Sequence, residues 1–225
     1  KQVVTNGISK CNDLIHRLIG RSDNTFAIAQ QGDNKIYQDE SYLDTTYYFD
    51  FPELVTSLVD LDFTHKQVTE GIKKMLLDMQ NLSNSHEKAD FKMAIRPVGA
   101  VLKLHVRLFP QSNEGDIEAL CPFCEPRQLR GEVIAETENL IAFEKSTTVR
   151  QPIDFLIVPK SHIVDYKDKK MTPEIFIEQL AMAQLLARQL VDPTDLVLEV
   201  NNGAGAGQIV FHSHMHFKSG SNWKK

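Results

Sequence analysis

Three histidines at every second position carry the clearest chemistry in the chain. They are His212, His214 and His216. Successive side chains of a β-strand alternate between faces, so this spacing predicts three imidazoles on one face of a strand. The outer two would lie roughly 13 Å apart, too far to act on one small atom. His214 must therefore do the chemistry, while the other two support it or serve a neighbouring site.

Two kinds of chemistry fit this spacing. Histidines two apart on a strand can bind one metal ion, and a neutral imidazole can attack phosphorus to form a covalent intermediate. Gly203, Gly205 and Gly207 precede the histidines and favour the second, because a phosphate can approach glycine amides closely. A structural role is weak, because each buried imidazole would need a polar partner.

The motif as a whole resembles that of the histidine triad (HIT) superfamily of nucleotide hydrolases and transferases. The resemblance rests on Asn201, Gly207, Gln208 and the three histidines, and it covers residues 121–223. It implies that His214 is the nucleophile that holds the nucleotidyl group. The outer histidines would orient groups or assist the leaving oxygen. Asn201 would lie near phosphate and sugar, while Gln208 and the loop amides would face the phosphate oxygens.

Three positions depart from the family pattern. The family's fourth histidine is Asp154 here, the carboxylate that follows Phe143 by two is Lys145, and the hydroxyl residue after the glutamine is Ile209. These changes leave phosphorus chemistry in place but weaken the expectation of ordinary purine-nucleoside recognition. Lys145 could instead pair with an extra phosphate or a sugar acid. We expect Phe123, Phe143 and Lys145 to contribute to the substrate site.

Cys121 and Cys124 form a Cys-x-x-Cys pair where a subset of bacterial HIT proteins bind zinc. The resemblance implies a four-coordinate zinc held by both thiolates, His212 and Asp154, with His162 as the alternative fourth ligand. Such a closed site has no open position for water, so the zinc would be structural. Two ordinary reduced cysteines, or a redox pair, are the other interpretations.

Composition limits the possible functions. The 225 residues carry a net charge of −5 without a basic run, which argues against binding of a nucleic acid polymer. No apolar run reaches membrane-spanning length. Three cysteines do not make a disulfide framework, so a reducing cytoplasm is the default compartment.

The elements that position the histidines are predicted to repeat along the chain, in domains at residues 1–112 and 117–225. Helices are predicted to begin at Thr64 in the first half and at Thr172 in the second. The first half is predicted to contain strands at residues 26–29, 45–51, 91–95 and 100–109. The second half is predicted to contain strands at residues 142–143, 154–158 and 196–200. They are followed by the segment with Gly203, Gly205 and Gly207, called the glycine loop here, and by the strand that carries the three histidines.

The two halves align with each other. When the first half is shifted by 109 positions along the sequence, Lys103, His105 and Arg107 align with the three histidines. The strands that come just before, at 91–95 and 196–200, align with a shift of only 105 positions. The first half thus keeps one histidine of three and lacks four residues of glycine loop, and it resembles a degenerate HIT repeat. Two unrelated α+β units are the alternative. The tandem arrangement is similar to galactose-1-phosphate uridylyltransferases, although that branch has glutamine at the position of His216.

We therefore expect an α+β fold in which helices pack on an antiparallel sheet and the two halves form a pseudo-dimer, in a monomer or a homodimer. The expected activity is hydrolysis or transfer of a nucleotidyl group at the α-phosphorus, through a covalent histidine intermediate. Its partner would be a small nucleotide, a nucleotidyl sugar, a phosphoramidate or a related phosphorylated metabolite. The alternative is a catalytically weak binding module for such molecules, with a structural zinc site.

Overall fold

The structure is a computed structural model that describes residues 46–51, 55–86, 88–98, 101–112, 121–124, 131–145 and 153–224. These residues contain eight β-strands and two α-helices. The strands are β1 (Thr46–Asp50), β2 (Asp90–Val98), β3 (Val101–Phe109), β4 (Val133–Glu136), β5 (Leu140–Glu144), β6 (Ile153–Pro159), β7 (Val197–Asn202) and β8 (Met215–Ser219). The helices are α1 (Lys66–Ser85) and α2 (Pro173–Ala187).

Alternation of apolar and polar residues gives the sheet two different faces. Leu104 and Val106 of β3, and Met215 and Phe217 of β8, belong to the main core. Both helices contribute to the same core, chiefly through Ile72, Leu76, Met79, Phe176, Leu180 and Ala183. The residues between these core positions point to the opposite side, which we call the second face. It includes Asp154 of β6, Glu199 and Asn201 of β7, and His216 of β8.

All eight strands form one antiparallel sheet in the order β1-β3-β2-β7-β8-β6-β5-β4. The first half follows the chain order β1-α1-β2-β3 and the second half contains β6-α2-β7-β8. Counted toward the junction between the halves, the strands of the first half lie in the order β1-β3-β2 in the sheet. The matching strands of the second half, counted toward the same junction, lie in the order β6-β8-β7. The two halves therefore repeat one arrangement, and the tandem α+β fold expected from the sequence is confirmed.

The halves meet where β2 pairs with β7. These are the two strands that the shift of 105 positions aligned with each other. Under that shift Ala94 corresponds to Glu199, and these two residues are direct partners in the antiparallel register. A strand that pairs with its own equivalent places a local two-fold axis at that pair, as in an isologous dimer interface.

The helix α2 is buried almost all around, and its three buried polar side chains all have partners. Glu178 accepts hydrogen bonds from Thr137 Oγ1 at 2.6 Å and Asn139 Nδ2 at 3.0 Å. Gln179 accepts one from the hydroxyl of Tyr166 at 2.7 Å. Gln184 Nε2 donates to the carbonyls of Leu58 and Leu61, at 2.9 and 2.6 Å, in the first half. The helix therefore joins both halves through buried hydrogen bonds as well as apolar packing.

The sequence located most elements but missed some boundaries. Thr172 is the N-cap of α2, and its side chain accepts a hydrogen bond from the Ile175 N–H. The predicted start of α1 at Thr64 is wrong, because the Thr64 hydroxyl donates to Asp62 and the N-cap position is His65. The short strand β4 was not predicted; it has four residues and a register shift, which leave little alternation to detect.

Some sequence predictions fall on residues that the structure does not describe. The predicted strand at 26–29 and the predicted boundary between the two domains, at residues 113–116, lie outside the described ranges. Within the described part of the chain, neither helix has the length and apolar character needed to cross a membrane.

Replacing Gln184 tests the hydrogen bonds that join α2 to the first half. Gln184→Met keeps the side-chain volume but leaves the buried Leu61 carbonyl without this donor. We expect it to lower the free energy of unfolding by about 2 kcal/mol, measured by urea denaturation. The matched change Gln189→Met, at a half-exposed position just after the helix, should cost less than about 0.5 kcal/mol. Equal effects of the two substitutions would contradict this role of Gln184.

Candidate functional site

The glycine loop between β7 and β8 is closed by its own hydrogen bonds. Gly203 and Gly207 have φ of +87° and +86° on either side of a 3-10 turn at Ala204–Ala206. Gln208 is buried; its Oε1 accepts from the Gly203 N–H at 2.7 Å, and its Nε2 donates to the carbonyls of Val164 and Val210. The prediction that the Gln208 side chain faces phosphate is therefore wrong, because its amide group is occupied in shaping the loop.

The backbone amides of this loop are also paired. The N–H groups of Ala206 and Gln208 donate to the Gly203 carbonyl, and that of Gly207 donates to the Ala204 carbonyl. The predicted row of amides open to a phosphate, with Gly207 as a member, is not formed by these residues. The physical reason is the 3-10 turn, which brings each donor back onto a carbonyl of the same loop.

Asp90 of the first half fixes the loop from outside. Its carboxylate, 1% exposed, accepts hydrogen bonds from the Gly205 N–H at 2.9 Å and the Ser112 N–H at 3.1 Å. Lys167 Nζ lies 2.7 Å from its other oxygen. A Cβ at Gly203 would lie 2.0 Å from Asp90 Oδ1, so only glycine fits there. Sequence reasoning missed Asp90, because one aspartate at the start of a strand has no signature.

The three histidines do not share one strand, contrary to prediction. The strand β8 begins only at Met215. Before it, the N–H of His212 donates to the Val210 carbonyl and that of Ser213 to the Ile163 carbonyl, at 2.8 and 2.6 Å. The backbone of His212 thus bonds locally rather than to a neighbouring strand. This break allows His212 to turn away from the other two histidines, whose ring centroids lie 5.2 Å apart.

His214 is held with one ring nitrogen available for reaction. Its Nδ1 lies 2.7 Å from the His212 carbonyl, which can only accept, so Nδ1 carries the proton and Nε2 has a free lone pair. Burial lowers the pKa of His214 to about 4, against the opposing effect of this hydrogen bond. The imidazole is therefore neutral near pH 7, as a nucleophile must be.

Two thiols and two imidazoles converge beside the histidines. The group consists of Cys121, Cys124, His162 and His212, whose ligand atoms all lie within 4.8 Å of one another. His212 Nε2 donates to the Pro159 carbonyl at 2.7 Å, and its Nδ1 faces Cys121 Sγ at 3.3 Å. His162 Nδ1 lies 3.1 Å from Cys124 Sγ. Number, type and proximity of these donors fit a four-coordinate metal ion, with His212 oriented by a backbone carbonyl.

Asp154, expected as the fourth metal ligand, does not belong to this group. Its carboxylate lies 3.4 Å from Lys145 Nζ and 3.6 Å from His216 Nδ1, on the second face. The strand alternation of β6 and β8 directs Asp154 toward His216. His162, the alternative ligand, follows the end of β6, where the chain turns toward the cysteines. Two of the three departures from the family pattern, at residues 145 and 154, thus contact each other.

The Cys-Pro-Phe-Cys segment also brings an aromatic ring to the site. The Phe123 ring meets those of Phe143, His212 and His214 edge-on, at centroid distances of 5.7, 5.8 and 5.4 Å. Phe143 itself packs with Leu156 on the second face. Asn201 lies on that face of β7, and its buried Oδ1 has no hydrogen-bond partner among the described residues. Phe123 therefore lies beside His214, and Phe143 contacts Phe123.

Comparison with known proteins identifies the family. A family model described as "HIT domain" matches residues 126–222. An uncharacterized HIT-like protein of Mycoplasma genitalium is 32% identical over 112 residues, which are 46% of this chain and 74% of that protein. The chain belongs to the HIT family. An uncharacterized HIT-like protein of Chlamydia muridarum is 33% identical over 88 residues, covering 39% of this chain and 69% of that relative.

Solved structures extend the likeness beyond the HIT domain. A uridylyltransferase structure matches 80% of this chain and 66% of its own, with a TM-score of 0.56 and 15% identity. An ADP-glucose phosphorylase from Arabidopsis thaliana, with bound ADP-glucose, matches 78% of this chain and 63% of its own, with a TM-score of 0.57 and 11% identity. At these identities the likeness concerns the fold alone, but it spans both halves of the chain.

Removing the Asp90 carboxylate should loosen the glycine loop. Asp90→Ala leaves two backbone donors and Lys167 without their acceptor, so we expect the free energy of unfolding to fall by about 3 kcal/mol. Asp78→Ala, which breaks an exposed ion pair with Lys74 on α1, is the control and should cost less than about 0.5 kcal/mol. Urea denaturation measures both. A loss at Asp90 as small as that at Asp78 would contradict the bonding described above.

Proposed function

We propose that this HIT-family chain hydrolyses or transfers a nucleotidyl group at its α-phosphorus, through a covalent adduct on His214. The observation that carries the proposal is the hydrogen bond between His214 Nδ1 and the His212 carbonyl. It fixes the tautomer in which Nε2 is the nucleophile. The ring is also held on one side by Phe123, which limits the directions from which a phosphate can approach.

The reaction would proceed in two steps. In the first, the Nε2 lone pair of His214 forms a bond to the α-phosphorus, and the bond to the leaving oxygen breaks with its electron pair. In the second, water or an acceptor hydroxyl attacks the same phosphorus, and the electron pair of the P–N bond returns to Nε2. Lys145, whose charge acts on His214 in the folded chain, would oppose the negative charge on the phosphoryl oxygens.

Substrate recognition would use the residues beside His214. Phe123 and Phe143 offer an apolar surface suited to a base or another flat group. Asn201 offers a carbonyl oxygen without a partner among the described residues, which suits a sugar hydroxyl. The substrate class is a small nucleotide or nucleotidyl sugar, and ADP-glucose, named with one of the fold neighbours, belongs in the first panel to be tested.

We assign the catalytic unit to residues 117–225 and a degenerate HIT repeat to residues 1–112. Supporting this assignment are the repeated strand order and the pairing of β2 with β7. The first half would stand where a second subunit stands in a dimer, and it supplies Asp90 to the glycine loop.

We further propose that the cluster of Cys121, Cys124, His162 and His212 holds zinc. Two thiolates and two imidazoles are a donor set that zinc accepts in closed structural sites. When bound, the metal would supply rigidity, because all four positions are taken by protein. It would tie the Cys-Pro-Phe-Cys segment, and so Phe123, to the chain that leads into β8.

The alternative, a binding module with little turnover, is favoured by one specific observation. The loop amides of Ala206, Gly207 and Gln208 are bonded within the loop and that of Gly205 to Asp90, so fewer donors remain to stabilise charge on phosphorus. The experiment on His214 below separates the two functions, because a module binds nucleotide without forming an adduct.

His214→Ala should abolish turnover and adduct formation while leaving the fold and the metal content unchanged. The full chain is incubated with adenylyl and uridylyl substrates, including ADP-glucose and UDP-glucose, quenched in acid-free denaturant and weighed intact. We expect the mass of one nucleotidyl group on the unaltered chain and none on His214→Ala, with a rate loss of at least about 10³-fold. Binding of nucleotide by the unaltered chain, without adduct or turnover, would support the module instead.

The metal site predicts the opposite pattern for Cys121→Ser. Zinc content should fall from about one per chain to near zero, and the midpoint of thermal unfolding should drop by at least about 5 °C. Activity should fall only as the fold loosens. Cys11→Ser changes the cysteine that is not in the four-ligand group and should leave the metal content unchanged. A chelator that stops turnover at once in a chain that stays folded would show that the metal has a catalytic role instead.

A further inference from the structure

One pair of buried polar atoms near His214 has no role in the steps given so far. Asp154 Oδ1 and His216 Nδ1 lie 3.6 Å apart. Each atom is buried, and neither has a hydrogen-bond partner among the residues that the structure describes. We treat these two atoms as a pair, because leaving either buried polar atom unsatisfied is costly.

The surroundings fix the charge of this pair. Burial raises the pKa of the Asp154 carboxyl, but the contacts with His216 and Lys145 lower it by more, so its pKa lies below the usual value. Its other oxygen lies 3.4 Å from Lys145 Nζ. An ionised carboxylate can only accept hydrogen bonds, so it requires a proton on His216 Nδ1. The remaining nitrogen of His216, Nε2, is then the one that can exchange a proton with a bound molecule.

We propose, on the basis of the function proposed above, that Asp154 is a positioning residue that orients His216 as the proton donor to the leaving group. The rings of His216 and His214 are neighbours, with centroids 5.2 Å apart. A phosphorus atom bound to His214 Nε2 would therefore have its leaving oxygen within the range of His216. A base oriented by a carboxylate on its far nitrogen is a common arrangement for proton transfer.

The proton balance of the two steps is complete with these residues. As His214 Nε2 bonds to phosphorus, the leaving oxygen takes the electron pair of the broken bond and the proton of His216 Nε2. In the second step, the attacking water or hydroxyl gives its proton to the same Nε2 while its oxygen bonds to phosphorus, and the P–N pair returns to His214. Asp154 stays ionised throughout and stabilises the imidazolium form of His216. Lys145 holds the carboxylate in place.

The test compares leaving groups that do and do not need a proton. Phenyl and 4-nitrophenyl esters of AMP and UMP are offered to the full, metal-loaded chain and to Asp154→Asn. Phenolate needs a proton more than 4-nitrophenolate does. Asp154→Asn should therefore lower kcat/KM about a hundredfold on the phenyl ester. On the 4-nitrophenyl ester, the loss should be smaller by a factor of at least about ten. Asp154→Glu should restore part of the loss. Thermal unfolding and zinc content report whether the variants are folded.

Glu136→Gln is the control, since it removes another carboxylate of the second half, on β4, whose partner is Lys160. It should change the rates on both leaving groups by the same factor. Equal losses for Asp154→Asn on the phenyl and 4-nitrophenyl esters would overturn the inference alone. If the unaltered chain neither turns over any of the four esters nor forms an adduct, the proposed function fails, and this inference fails with it.

A measurement on the unaltered chain keeps the inference testable even if the variants do not fold. Long-range proton–nitrogen NMR correlation identifies which ring nitrogen of each histidine carries the proton. We expect a proton on His216 Nδ1 near pH 7. A neutral His216 with its proton on Nε2 and none on Nδ1 would overturn the role of Asp154.

Discussion

The pairing of β2 with β7 is the interaction on which the rest of the structure depends. It joins three strands of the first half and five of the second into one sheet. Without it, the core face of each half would be a small sheet under a single helix, with an exposed edge strand. The same pairing brings the start of β2 next to the end of β7, which is where the glycine loop begins.

That proximity explains why the first half matters to a site whose motif lies wholly in the second. Asp90 opens β2, and in the register of the sheet its neighbour Phe91 stands opposite Asn202. Its carboxylate therefore reaches the loop that follows Asn202 and bonds to Gly205. Gln184 and Lys167 add further contacts across the same junction. The first half, which aligns only His105 with the three histidines, thus holds the glycine loop of the other half in shape.

Within the second half, a change in backbone conformation separates His212 from the other two histidines of the motif. The segment before Met215 is not in the sheet, so His212 turns toward Cys121 while His214 and His216 stay together. A regular strand would have kept all three imidazoles on one face and left Cys121 without its contact to His212. The carbonyls of His212 and Pro159 then fix the tautomers of His214 and His212 respectively.

The sequence by itself determined most of the secondary-structure elements and which residue types gather at the candidate site. Strand alternation and helix capping identified β1, β2, β3, β5, β6, β7 and α2, because local backbone preference and burial follow the same period there. The spacing of the histidines points to His214, and the Cys-x-x-Cys pair belongs with His162 and His212 to a cluster that could hold a metal ion. These features depend on residue types and their spacing along the sequence, so the sequence alone reveals them.

Only the tertiary structure decided which partner each polar group takes. Asp154 was expected as the fourth metal ligand, with His162 as the alternative. The turn after β6 carries His162 to the thiols, while the strand directs Asp154 to His216. Gln208 was expected at the phosphate, and the 3-10 turn draws its amide into the loop. Asp90 lies 115 positions from the glycine it bonds. Such contacts depend on strand register and on turns that only the folded chain specifies, so no spacing in the sequence predicts them.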